Sequence, residues 1–305
     1  MSANTTRNQD AQSSAGAAPA DEPDPNRIGG GPGLLPELSR LERKQVAERV
    51  PISAAVVHET VREEGERELA RHPTALAFSG LAAGLSMGFS MVGEGLLLAH
   101  IPNVPWRPAI AALGYSLGFV IVVLGRQQLF TENTLTAMLP LLAHPDWKTF
   151  MRVARLWGIV LLANLLGAFI FATIVAHTPL FPPEINAAFA TIGHDSLRGD
   201  FGLVVLRGVF AGWLIALMIW LLPVAQNVRL HIIILLTYTV ALGGFAHIIA
   251  GSVDVLYLVS TGAIGWGHAL GGFIVPTLLG NILGGVALVA ALNYAQVASE
   301  SLGDK

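Results

Sequence analysis

Residues 161–168 read Leu161-Leu162-Ala163-Asn164-Leu165-Leu166-Gly167-Ala168, and residues 278–285 read Leu278-Leu279-Gly280-Asn281-Ile282-Leu283-Gly284-Gly285. Each stretch carries a single asparagine in an otherwise apolar run. Upstream of each lies a polar interruption of an apolar segment: Thr131 precedes Asn164 by 33 residues, and His247 precedes Asn281 by 34. Gly80 and Gly84, like Gly208 and Gly212, set glycines four apart, a spacing that lets helices approach closely. The chain therefore reads as two copies of one unit.

Outward from these stretches, apolar segments fall near 74–99, 109–129, 157–176, 202–223, 231–250 and 272–293. Each suits a hydrocarbon core of about 30 Å, which takes roughly 20 helical residues to cross. The expected fold is an all-α membrane protein of six spans. Three spans per copy is an odd number, so the copies run in opposite orientations. The second segment runs into Gln127-Gln128-Leu129-Phe130-Thr131-Glu132-Asn133, with a further apolar piece over 134–143. The fifth is interrupted around His247 and Gly251-Ser252 and resumes over 253–260. Inverted repeats with a broken helix in each half place a solute site at the midplane, where irregular backbone lines a cavity.

The composition agrees: 53% of residues are hydrophobic and 13% charged, against roughly 25% charged in an average soluble chain. Residues 1–35 are poor in apolar surface and read as a disordered cytoplasmic tail. A cytoplasmic amphipathic helical segment is expected over 36–72, with Ser53 as N-cap and Glu63 paired to Arg67. Its Val56, Val57 and Val61 suit either a membrane surface or a packing face. The channel domain spans 73–296, and 297–305 form a short cytoplasmic C-terminus. Arg62, Arg67, Arg71, Lys148, Arg152, Arg155, Arg229 and Lys305 fall on one side, against Arg107, Arg198 and Arg207 on the other. By the positive-inside rule both termini are cytoplasmic.

Some chemistry is excluded. With no cysteine, disulfides and thiolate sites are out. His231, His247 and His268 are too dispersed for a metal site, no cofactor is expected, and no basic patch with interleaved aromatics suggests nucleic acid. Gly114-Tyr115-Ser116-Leu117-Gly118 matches a hydrolase motif but lies inside a span rather than at a strand-to-helix turn. No enzyme is expected. The candidate site residues gather at the two breaks. His247 is an ionisable group at membrane depth, a functional position by default. Thr131 and Asn133 offer a hydroxyl and an amide at the other break, Asn164 and Asn281 suit loop orientation by hydrogen bonding, and Arg126 and Glu132, six apart, can pair across the break. Glu94 reads as interfacial.

These motifs resemble the formate/nitrite transporter family. Leu129-Phe130-Thr131-Glu132-Asn133 resembles the family's L-F-T-G-N loop, Arg155-Leu156-Trp157 with Asn164 its K/R-x-W…N helix, and Gly244-Phe245-Ala246-His247 its G-F-E-H motif. The resemblance implies an aquaporin-like protomer with its own pore, five protomers to a ring in the inner membrane, and small monovalent anions such as formate or nitrite as solutes. It implies that His247 faces the pore beside Thr131, with Phe130 lining it; Tyr115, Phe119 and Val240 are further lining candidates. Departures cluster at the breaks: Gln128 stands for an acidic residue, Glu132 for glycine, Ala246 for glutamate, Gly212 and Gly251 for asparagine, and Arg126 is an added charge. Glu132 leaves open a pore for a small neutral or cationic solute. A membrane scaffold or sensor with a closed pore is the alternative from another class.

Deleting residues 1–35 is expected to leave assembly and flux unchanged, because a polar segment of this kind contributes little buried surface. Loss of the oligomer in detergent would contradict this.

Overall fold

A computed structural model describes residues 39–41, 43, 44 and 52–296, with the side chain at 288 excepted. The expected tail over 1–35 and the segment 297–305 lie outside the described residues. The chain divides after Pro51, and the unit from Ile52 onward holds the elements below.

In chain order these are α1 (Ala54–Ala70), α2 (Pro73–His100), α3 (Arg107–Leu124), α4 (Phe130–Thr136), α5 (Met138–Ala143) and α6 (Trp147–His177). There follow α7 (Pro183–Ser196), α8 (Phe201–Leu221), α9 (Arg229–Leu242), α10 (Ala250–Ser260) and α11 (Trp266–Gln296). Five of them, α2, α3, α6, α8 and α11, are long and apolar enough to cross a membrane. The remaining crossing is made of the shorter α9 and α10. Six spans with the second and fifth broken is the expected architecture, and α2, α3 with α4, and α6 repeat as α8, α9 with α10, and α11.

Side chains set the helix starts. Ser53 accepts from the Val56 N–H at 3.4 Å, Asp146 from Thr149 at 3.0 Å and Asp200 from Leu203 at 2.8 Å. Each satisfies an N–H that the helix itself cannot. Pro73 occupies the first turn of α2, where its missing N–H costs nothing.

Close approach sets the packing. A Cβ added at Gly84 would lie 2.1 Å from the Asn164 carbonyl oxygen, and one at Gly212 would lie 2.4 Å from that of Asn281. No side chain fits there. The small residues thus let α2 meet α6, and α8 meet α11, backbone to backbone. In α11 two stretches, 270–274 and 283–290, take π geometry. The first precedes Pro276, whose missing N–H interrupts the regular ladder.

Three features differ from the expectations or add to them. Gly251 and Ser252 are not part of the second break but lie in the first turn of α10. Val57 and Val61 are buried against the protein while Val56 points outward, so only the last is available to a lipid surface. On the same helix His58 packs on Trp220 and Tyr294, and burial pushes its imidazole below the usual range. Finally, α7 lies between the third and fourth spans, in a stretch for which no element was expected. Its Ile185, Ala188, Phe189 and Ile192, buried at helical spacing, lie on a helix that packs against α2 and α10. At 14 residues it is too short to span.

Gly212→Leu is expected to lower stability by about 3 kcal/mol or to prevent folding, because backbone stands where the side chain must go. Gly158→Ala, where a Cβ meets nothing within 4 Å, should be neutral or mildly stabilising. Thermal unfolding in detergent checks both; equal midpoints for the two variants would contradict the packing argument.

Candidate functional site

Both breaks begin with the same turn. After α3, Arg126 N–H donates to Val123 O at 3.2 Å and Gln127 N–H to Val122 O at 3.0 Å; after α9, Gly244 donates to Ala241 at 3.0 Å and Phe245 to Val240 at 3.0 Å. This is the Schellman pattern, whose central residue is left-handed. Gly244 has φ of 61° and Arg126 has φ of 51°. Glycine takes that conformation freely, whereas an arginine there is strained.

Each break is then held by one asparagine. Asn164 accepts from the Phe130 N–H at 2.9 Å and donates to Gln128 O at 2.9 Å and Gly80 O at 2.7 Å. Asn281 accepts from the Ile248 N–H at 2.9 Å and donates to Ala246 O and Gly208 O, both at 2.8 Å. The two sets match residue for residue, and both asparagines are fully buried. Backbone groups that leave a helix inside a membrane need such partners. The match also aligns Leu129, not Thr131, with His247: the two breaks are equivalent, but their polar side chains are not.

Asn133 is tied into its own loop. Its side-chain amide donates to Gln128 Oε1 and Leu129 O, both at 3.1 Å, and its backbone carbonyl accepts from Trp157 Nε1 at 3.1 Å. Phe130 stacks edge-on against Trp157, with centroids 5.7 Å apart, and lines neither cavity described below.

His247 caps α10. Its Nδ1 accepts from the Ile249 and Ala250 N–H groups at 3.3 and 3.2 Å, and its Nε2 lies 2.8 Å from Thr131 Oγ1. With Nδ1 facing two donors, the network assigns the ring proton to Nε2, which donates to the threonine. The imidazole therefore bridges the start of one half-helix to the first turn of the other.

Two cavities flank this bridge. The larger, about 830 Å³, is lined by His247, Tyr115, Glu94, Asp254 and Arg207. The smaller, about 220 Å³, lies beside α1 and is lined by Glu64, Arg126, Gln128, Glu132 and Arg229. Tyr115, Phe119 and Val123 stand at i, i+4 and i+8, on one face of α3. Tyr115 lines the larger cavity and Val123 the smaller. Phe119 lies between them, its ring edge-on to His247 at 4.8 Å, and Val240 is buried as well. Thr131, His247 and Phe119 are each 1% exposed or less, so the passage narrows to a closed contact here.

The charges differ from the expected pairing of Arg126 with Glu132. Arg126 lies 3.7 Å from Glu64 on α1, and both side chains are exposed, which makes the pair weak. Arg126 and Glu132 line the same smaller cavity but form no ion pair with each other. Among the described residues Glu132 has no ion pair, and its Oε1 is enclosed without a partner. Asp254, which the sequence reading passed over, sits in α10 with Oδ2 3.3 Å from Ser196 Oγ. The signal was available: an acid within the apolar run of α10 is an ionisable group at membrane depth. Glu94 lines the larger cavity. Ser116 of the hydrolase-like motif is buried and bonded to Thr237 and Ile234. Among the described residues no His, Asp and Glu cluster could hold a metal.

An inverted helical repeat with paired breaks, meeting at a polar contact between two cavities, defines a membrane transport protein rather than an enzyme. The chain belongs to the formate/nitrite transporter family: the model of the family described as formate/nitrite transporter matches residues 55–295. It is 42% identical over 265 residues to the inner membrane protein YfdC of Escherichia coli (strain K12), covering 87% of this chain and 86% of the relative. It is 22% identical over 253 residues to the formate channel FocB of the same organism, covering 73% and 87%. Among solved structures it is similar to a pentameric formate channel with formate bound (TM-score 0.62, 21% identity, 77% of this chain and 98% of that one). It is also similar to an FNT family ion channel (TM-score 0.70, 17% identity, 79% and 98%). The protomer has the aquaporin-like fold of these channels.

Asn164→Ala and Asn281→Ala should each cost roughly 3 kcal/mol or more, since each leaves two buried loop groups without a partner and removes the tie to a carbonyl of the helix opposite. Unfolding in detergent measures the loss; a cost near zero for either would mean that water replaces the amide.

Proposed function

We propose that this chain conducts small monovalent anions of weak acids, such as formate or nitrite, across the inner membrane. It does so as a homopentamer embedded in lipid, each protomer holding its own pore, with both termini cytoplasmic. The observation that carries this reading is the contact of His247 Nε2 with Thr131 Oγ1 at 2.8 Å, where two broken helices meet between two cavities. A solute crossing this point exchanges that mutual hydrogen bond for bonds of its own. Thr131 orients the solute, and the relay proceeds through Nε2.

Energetics favour passage as the neutral acid. Protonating an acid of pKa about 4 at pH 7 costs roughly 4 kcal/mol, at about 1.36 per unit. Carrying the bare anion through a dry, aromatic constriction costs far more, up to tens of kcal/mol in the Born limit. The family membership and the names of the relatives support the same solute class.

A second reading, a pore for a small neutral or cationic solute, is favoured by the unpaired Glu132. An ionised carboxylate about 5 Å from an anion repels it by roughly 3 kcal/mol at an effective dielectric of about 20. A closed scaffold or sensor is a third, and predicts no flux of any solute.

In proteoliposomes, formate and nitrite should enter faster than acetate, methylammonium or urea. His247→Asn keeps an acceptor for the helix N-terminus but removes the imidazole, and should slow formate uptake roughly tenfold or more without loss of assembly. Uptake of methylammonium or urea ahead of formate would overturn the reading, as would full activity of the assembled variant.

A further inference from the structure

We propose that Asp254 and Glu94 form a proton-exchange site in the larger cavity, which hands a proton to the solute anion before it reaches His247. The proposal rests on the reading of the chain as a weak-acid pathway and assigns the proton's source.

The first support is what His247 lacks. Its Nδ1 is taken by two backbone donors and its Nε2 by Thr131, so the ring holds one proton and has no free nitrogen on which to gain another. It can share the Nε2 proton with a solute, but the net proton must come from another group on the path.

The second is placement. His247, Gly251 and Asp254 stand at i, i+4 and i+7 and all line the larger cavity. Asp254 is therefore on the same face, about 10 Å further along the helix. Gly251 presents no side chain between them; the Phe273 ring fills that place, 2.2 Å from where a Cβ would be. Glu94 reaches the same cavity from α2 and Tyr115 from α3.

The third is that neither carboxyl is held in an ion pair. Arg107, Arg198 and Arg207 line the same cavity, but Arg198 is paired with Asp195 at 2.8 Å, Arg207 is turned to Arg198 O at 2.5 Å and Arg107 to Leu98 O at 2.8 Å, so none is in direct contact with either carboxyl. Among the described residues no ion pair reaches Glu94 or Asp254. The α6 and α11 helices bring no charged group to this cavity. Asp254 is 5% exposed; its Oδ2 meets Ser196, while Oδ1 has no protein partner and opens on the cavity. Tyr115, 8% exposed, likewise has a hydroxyl with no protein hydrogen bond that faces the same space. Ionised together, two carboxylates with no direct ion pair would oppose the anions that the arginines of this cavity draw in. Carrying protons, they turn the same wall into a row of donors.

The step balances. The O–H bond of the Asp254 carboxyl breaks as a new O–H bond forms on the anion; the neutral acid passes Thr131 and His247 and releases its proton on the far side. The carboxylate left behind takes a proton from cavity water, through Glu94 or directly. One proton moves with each anion.

The test is formate uptake by proteoliposomes as a function of outside pH. The wild type should reach a plateau toward acid pH, where the carboxyl site is filled. Asp254→Asn should lose the plateau, its uptake following neutral formic acid and falling about tenfold per pH unit. Asp254→Glu should restore the plateau, which a merely structural role would not require. Infrared difference spectra on formate addition should show a protonated-carboxyl band in the wild type that is missing in Asp254→Asn, a readout that does not depend on transport. An Asp254→Asn variant with the wild-type pH profile overturns the proposal. So does wild-type uptake that requires sodium or potassium and loses that requirement in the variant, since the carboxyls would then hold a metal cation. Absence of any formate or nitrite uptake by the wild type would instead sink the underlying reading, and the inference with it.

Discussion

A polypeptide can leave its helix inside a membrane only if the freed N–H and C=O groups find partners. Asn164 and Asn281 meet that constraint, each binding the chain on both sides of a break and a carbonyl of the glycine-faced helix opposite. The asparagines need close helix contact, because their amides must reach the Gly80 and Gly208 carbonyls. The glycines need the asparagine backbones as the surface they approach. Fold and pore thus share one set of interactions, used twice in opposite orientation.

The polar contact at the centre follows from this frame. Once Asn281 fixes Ile248 and Ala246, the residue between them is held at the start of α10, where a side-chain acceptor is needed. His247 fills that need with Nδ1 and is left with Nε2 pointing at Thr131. The same frame at the other break puts Leu129, an apolar residue, at the equivalent position. The site is therefore asymmetric although the scaffold is symmetric, and the cavities differ accordingly: the larger reaches the imidazole, the smaller the amides of Gln128 and Asn133.

Much of this was legible in the sequence, for physical reasons. Apolar length reports spans, the two asparagines in apolar runs report the repeat, and the glycine pairs report the close contacts. What did not show is equally physical. The α7 helix is too short for a length criterion, and its buried stripe of Ile185, Ala188, Phe189 and Ile192 was the overlooked signal. Spacing along the chain cannot show a competitor brought in from another helix, which is why Arg126 reads as a partner of Glu132 although it pairs with Glu64 of α1. The helix after the second break begins three residues earlier than the sequence suggests, because a histidine cap allows helix at Gly251 and Ser252, residues that on their own suggest loop. Asp254 was hidden by its apolar neighbours, although an acid among them was itself the clue.

The central claim is that a weak-acid anion crosses together with a proton at the His247 and Thr131 contact. Its most direct measurement is the number of protons moved per anion, read from an internal pH dye and labelled formate in the same proteoliposomes, with the membrane potential clamped. The account predicts one proton per formate and uptake indifferent to the potential. Formate uptake that leaves internal pH unchanged and follows the potential would contradict it.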